Sequence, residues 1–104
     1  MQFLYRIQPI RQDLLTGEAT ESEKQIISEH VSYLKKLVAE GIVILAGRTL
    51  NTESSSFGVV IFNAHSEIQA RQILENDPAV KGNVFRGELF PYRIAFIQEK
   101  NSQQ

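Results

Sequence analysis

The stretch IVILAGRTLNTESSSFGVVIFNA, residues 42–64, decides the fold. Residues 42–50 and 57–64 are rich in β-branched and aromatic side chains and apolar on both faces. In the first run Ile42, Ile44 and Ala46 point one way, and Val43 and Leu45 the other. Between the runs, Asn51 to Ser56 is a polar turn. The connection is short enough for an antiparallel hairpin. What stands on either side of this hairpin sets the topology.

Upstream, Thr20-Glu21-Ser22-Glu23 has the form of a capping box, in which the threonine hydroxyl takes the N3 amide and the glutamate reaches back. Behind it Ile26, Ile27, His30, Tyr33, Leu34, Leu37 and Val38 recur at helical spacing, and Gly41 sits where a terminating glycine belongs. This predicts a helix over 21–40. Before it, residues 2–8 alternate as a strand, with Phe3, Tyr5 and Ile7 on one face, and Pro9 ends them. Residues 10–19, with Thr16-Gly17, read as a loop.

Downstream, Ser66-Glu67-Ile68-Gln69 is a second capping box opening a helix to about Asn76. Asp77-Pro78 breaks it and can start a further short turn. Residues 84–98 read as one long strand or two, with Pro91 marking a bulge or an edge. The chain then reads as one domain over 1–98 and a polar tail over 99–104.

The order strand, helix, strand, strand, helix, strand is the ferredoxin-like βαββαβ pattern, an α+β fold with a four-stranded antiparallel sheet. Its helices cover one sheet face, and a solvated second face should read polar at alternate positions. The central hairpin is apolar on both faces instead. A homodimer, sheet against sheet, is the economical cover, with a higher oligomer left open.

Composition narrows the function classes. The chain has 104 residues, 22% of them charged, and a formal net charge of −1. That balance argues against a protein that grips nucleic acid through its phosphates. Phe57-Gly58-Val59-Val60 lacks the basic and aromatic neighbours of an RNA-binding sheet motif. With no cysteine there is no thiol nucleophile, and two histidines 35 positions apart give no metal-ligand spacing. No glycine-rich phosphate loop occurs, so neither metal nor cofactor is expected. The N-terminus carries no signal-peptide pattern, and no apolar run reaches the roughly 18 residues of a membrane span. A cytoplasmic protein with a small-molecule ligand, and no nucleic-acid or membrane partner, is the expectation.

Two residues stand out as chemistry. His30 lies on the apolar stripe of the first helix; it is either a core histidine with a structural partner or a general acid or base. If the second helix keeps its period, Asp77 follows Ala70, Ile73 and Leu74 on the sheet-facing stripe, where it could hold the His30 ring and fix its tautomer. The competing reading makes Asp77 the N-cap of the turn begun by Pro78, and the two roles are compatible. Arg48, in phase with Ile42, Ile44 and Ala46, could reach a pocket and fix an anion, or lie on the surface with its stem packed down. Ser56, beside Gly58, could donate to a ligand, although serines in a turn are usually just solvated. Tyr5 and Tyr33 either line a pocket or fill the core, and His65 reads as loop.

Four segments together resemble the YciI-like (YCII-related) family: Glu29-His30-Val31-Ser32-Tyr33-Leu34, Leu45-Ala46-Gly47-Arg48, Phe57-Gly58-Val59-Val60-Ile61-Phe62, and Asn76-Asp77-Pro78-Ala79-Val80 with Gly82. The resemblance spans residues 1–98. It implies a dimeric α+β barrel similar to muconolactone isomerase, with a His–Asp site that maps onto His30 and Asp77. Some relatives are implicated in removing halide from aromatic rings. The position of Arg48 is often proline in relatives, which implies a subgroup with a ligand of its own. The leading expectation is a lyase- or isomerase-type enzyme in which His30 moves a proton, Asp77 orients it, and Arg48, Tyr5 or Ser56 places the substrate. The rivals are a non-catalytic metabolite-binding protein and a dimerisation module.

Overall fold

Four strands and three helices follow one another in the computed structural model, which describes residues 1–98. β1 (Gln2–Pro9), α1 (Glu21–Ala39), β2 (Val43–Arg48), β3 (Gly58–Asn63), α2 (Glu67–Glu75), α3 (Pro78–Lys81) and β4 (Phe85–Tyr92) reproduce the expected order, with the short α3 inserted before the last strand. The sheet runs β2-β3-β1-β4 and every pair is antiparallel. This is the ferredoxin-like arrangement, in which the two long helices bridge non-neighbouring strands.

The strand alternation sets the core. Phe3, Tyr5 and Ile7 of β1 stand opposite Phe62, Val60 and Gly58 of β3 on the helix-covered face. Leu37 of α1 with Ala70 and Leu74 of α2 close over them. Phe3, Tyr5 and Phe62 are fully buried, and the Tyr5 and Phe62 rings meet edge to face at 5.7 Å. That geometry suits the ring quadrupoles.

The helix starts form as their sequences predict, with one variation. Thr20 Oγ1 accepts from the Glu23 amide at 3.1 Å, and the Glu23 carboxylate accepts from the Thr20 amide at 2.9 Å. The Thr20 backbone bond first, and Arg11 second, hold the Glu23 carboxyl below its ordinary range. At α2, Ser66 accepts from the Gln69 amide, but the Gln69 side chain reaches back to the amide of His65 instead of Ser66. Gly41, at φ 76°, ends the α1 region in the left-handed conformation that glycine tolerates best.

Three expectations about the strands and loops need correction. Residues 10–19 are not all loop: Gln12–Thr16 form a 3₁₀ turn that buries Leu14. The final strand stops at Tyr92, because Tyr92 already faces Gln2, where β1 begins, and beyond it no partner strand exists among the described residues. Pro91 lies within an unbroken register on β4, an edge strand, where a missing N–H is tolerated. The third concerns β2, where a bulge between Val43 and Leu45 shifts the phase. Val43, Ala46 and Arg48 therefore share the helix-covered face with Phe62, Val60 and Gly58, so Arg48 is in phase with Ala46 but not with Ile44. The 99–104 tail lies outside the described residues.

Candidate active site

Asp77 is fully buried, and its carboxyl group is the meeting point of three elements. It caps α3: its Oδ1 accepts from the Ala79 amide at 2.9 Å, and Pro78 occupies the first helical position. The same carboxyl group receives Nδ1 of His30, from the buried face of α1, at 2.7 Å to Oδ1 and 2.9 Å to Oδ2. The Tyr5 hydroxyl, from the middle of β1, donates to Oδ2 at 2.6 Å. The capping role and the histidine-holding role therefore coexist in one side chain.

Because Asp77 accepts from Nδ1, that nitrogen carries a hydrogen, and in the neutral ring the lone pair is then at Nε2. Nε2 has no protein partner among the described residues, and His30 lines an open cavity. The Phe85 ring stands edge-on to the imidazole, with centroids 5.6 Å apart at 85°, and closes one side of it. A ring held at one nitrogen, flanked by an aromatic edge and bordering a cavity can give a proton to, or take one from, a molecule placed beside it.

The cavity measures about 550 Å³ and lies between α1 and the β2–β3–β1 part of the sheet. Ile27, Val31 and Leu34 of α1 form one wall, and Ile7, Ala46 and Val60 of the sheet form the other. Leu14 and Leu15 of the 3₁₀ turn border it. Its size and apolar walls fall in the range of small-molecule sites.

The expected ligand-placing residues divide. Arg48 lines the cavity from the end of β2 and is exposed. Ser56 also lines it, is only 4% exposed, and accepts from Thr49 Oγ1 at 3.3 Å. Tyr5 does not reach the cavity: its ring is sealed in the core and its hydroxyl is committed to Asp77. Burial first, and the Asp77 charge next, push the Tyr5 phenol far above its ordinary value, so it remains a donor. Tyr33 likewise serves the frame, donating to the Ile73 carbonyl at 2.7 Å, and burial pushes its phenol up to about 12.

Sequence reasoning missed Phe85 and the 3₁₀ leucines. The signal for Phe85 was its place at the head of the strand directly after the Asp77 turn, which returns the chain to His30. Leu14-Leu15 was a visible apolar pair inside a segment assigned to loop. Among the described residues no cluster of three or more His, Cys, Asp or Glu side chains could hold a metal ion. No helix among them is long and apolar enough to cross a membrane.

The same arrangement of strands and helices occurs in a solved structure, the 5-chloro-2-hydroxyhydroquinone dehydrochlorinase of Burkholderia phenoliruptrix AC1100 in complex with 2,5-dihydroxybenzoquinone. The two are 22% identical with a TM-score of 0.66, and the match covers 89% of this chain and 94% of that one. No curated protein matches the sequence. The YCII-related domain matches over residues 1–93, a span that contains His30, Arg48, Ser56 and Asp77. With nearly the whole described chain inside that match, this protein belongs to the YCII-related domain family.

Proposed function

We propose that this protein is a small acid–base enzyme of the lyase or isomerase type, with His30 as the group that moves the proton. One observation carries the reading: the imidazole is held through Nδ1 by a buried carboxyl group while His30 lines a cavity of about 550 Å³. Asp77 touches no ligand space. It is a positioning residue that sets the tautomer and the angle of the ring. The apolar walls suit a substrate with a flat hydrocarbon body. The dehydrochlorinase with a related fold acts on a hydroxylated chloro-aromatic ring, and removal of a proton before loss of a leaving group is chemistry that one positioned base can perform.

The working unit in this proposal is a homodimer formed through the uncovered sheet face. The test of the catalytic reading uses ring compounds with exchangeable or eliminable C–H groups, followed by proton NMR in deuterated buffer. The wild-type protein is expected to speed exchange or elimination, and His30→Gln to lose about 100-fold or more of that rate, the usual size of a general-base contribution. A folded His30→Gln variant with undiminished turnover would overturn the assignment. Ligand binding with no turnover in the wild type would make the protein a metabolite-binding module instead.

A further inference from the structure

We infer that the cavity beside His30 selects small organic anions and that Arg48 is the residue that reads the charge. This rests on the reading of the cavity as the ligand site. The lining holds no carboxylate, and its two ionisable side chains are His30 and Arg48. Arg48 arrives there because the β2 bulge turns it onto the helix-covered face opposite Gly58. Among the described residues it has no ion-pair partner. The carboxylates that pair with arginine elsewhere are engaged by others: Asp13 and Glu23 by Arg11, and Glu88 by Arg6.

A second polar group points the same way. Ser56 is nearly buried, and its hydroxyl, 3.3 Å from Thr49 Oγ1, can turn its hydrogen to a ligand while its oxygen accepts from Thr49. A guanidinium fork and a hydroxyl donor, set in otherwise apolar walls, match an oxyanion carried on a hydrophobic ring. A cationic ligand would meet Arg48 with no counter-charge in the lining, and a neutral one would leave the guanidinium unanswered. The shared chemistry is a planar oxyanion, and both a carboxylate and an ionised phenol or enol can supply it.

Titration calorimetry on the full chain separates these possibilities, with benzoate, 4-nitrophenolate and neutral benzamide as probes. Benzoate, nitrophenolate or both are expected to bind, and benzamide at least about tenfold more weakly. Which anion binds identifies the source of the oxyanion. Arg48→Met is expected to weaken the bound anion about tenfold and leave benzamide unchanged, and Arg48→Lys to recover part of the loss. Added salt should weaken only the anions. Equal binding of benzoate and benzamide, no effect of Arg48→Met in a variant of unchanged melting temperature, or no binding of either anion at millimolar concentration would each overturn the inference. Binding heats report Arg48 and turnover reports His30, so anion binding without turnover would sink the catalytic reading and leave this one standing.

Discussion

Tyr5 shows how one hydroxyl can matter to a site it never touches. It sits behind Asp77, fully buried, and supplies one of the three donors that hold the carboxyl group in place. Tyr5→Phe is expected to cost about 1–3 kcal/mol in urea unfolding, because a buried acceptor loses its partner. It should lower kcat about tenfold with KM nearly unchanged, since the ligand contacts remain. The pH dependence has a definite sign. The folded-state phenol binds its proton more tightly than a free tyrosine at 10.0, so its contribution is complete below pH 10 and drains away as pH rises above it. Tyr33, pushed up to about 12, acts in the same direction between pH 10 and 12. Wild-type stability should therefore fall with rising pH above 10, and the slope should be shallower in Tyr5→Phe. An unchanged slope would place the alkaline loss elsewhere. Asp77→Ala is a poorer probe than Asp77→Asn, because it strands the Tyr5 hydroxyl and the Ala79 amide together.

At the scale of elements, α3 is the turn that Asp77 caps and that, in the proposed site, aims it. It is one turn long, begun by Pro78 and closed by Gly82, whose amide bonds back to the Pro78 carbonyl at 2.8 Å. A Cβ on Gly82 would stand 2.9 Å from that carbonyl oxygen and 3.0 Å from Ile26 Cδ1. The backbone contact cannot yield as a flexible side chain would. Gly82→Ala is expected to cost about 1–3 kcal/mol and to displace the turn, so that the melting temperature and turnover fall together. Unchanged melting with full activity would show that the turn accommodates the methyl group. Much of this element was legible in advance. Asp-Pro after a helical run predicts a break and a cap, and the capping boxes at Thr20 and Ser66 place two helix starts. The β2 bulge was not legible, because Val43-Ile44-Leu45 reads as uniform β sequence and only pairing with β3 selects which residue is left over. Without that shift Arg48 would alternate opposite to Val43 and face away from the cavity.

Over the whole molecule, the sheet has one covered face and one bare one. On the bare face Leu4, Leu45, Ile61 and Phe90 surround the paired Arg6 and Glu88, and Leu45, Phe90 and Tyr92 are close to half exposed. Arg6 Nε is buried there with no acceptor among the described residues. An apolar face with an unanswered donor at its centre suits a self-complementary contact. Light scattering at micromolar concentration is expected to give twice the chain mass, and Phe90→Lys to give the chain mass with its fold retained. A stable wild-type monomer would remove the dimer from the proposal.

By itself the sequence determined the element order, the two long helices, the core faces of β1 and β3, and the candidacy of His30 and Asp77. These follow from short-range physics: hydrophobic period, capping chemistry and proline's missing N–H act within a few residues of each other. The tertiary structure decided how those residues meet. It placed Asp77 between His30 and Tyr5, moved Tyr5 from the ligand to the support, rotated Arg48 onto the cavity and brought Phe85 against the imidazole. Tyr5 and Asp77 lie 72 positions apart, and contacts at that separation depend on sheet register and helix docking, which no local pattern of residues encodes.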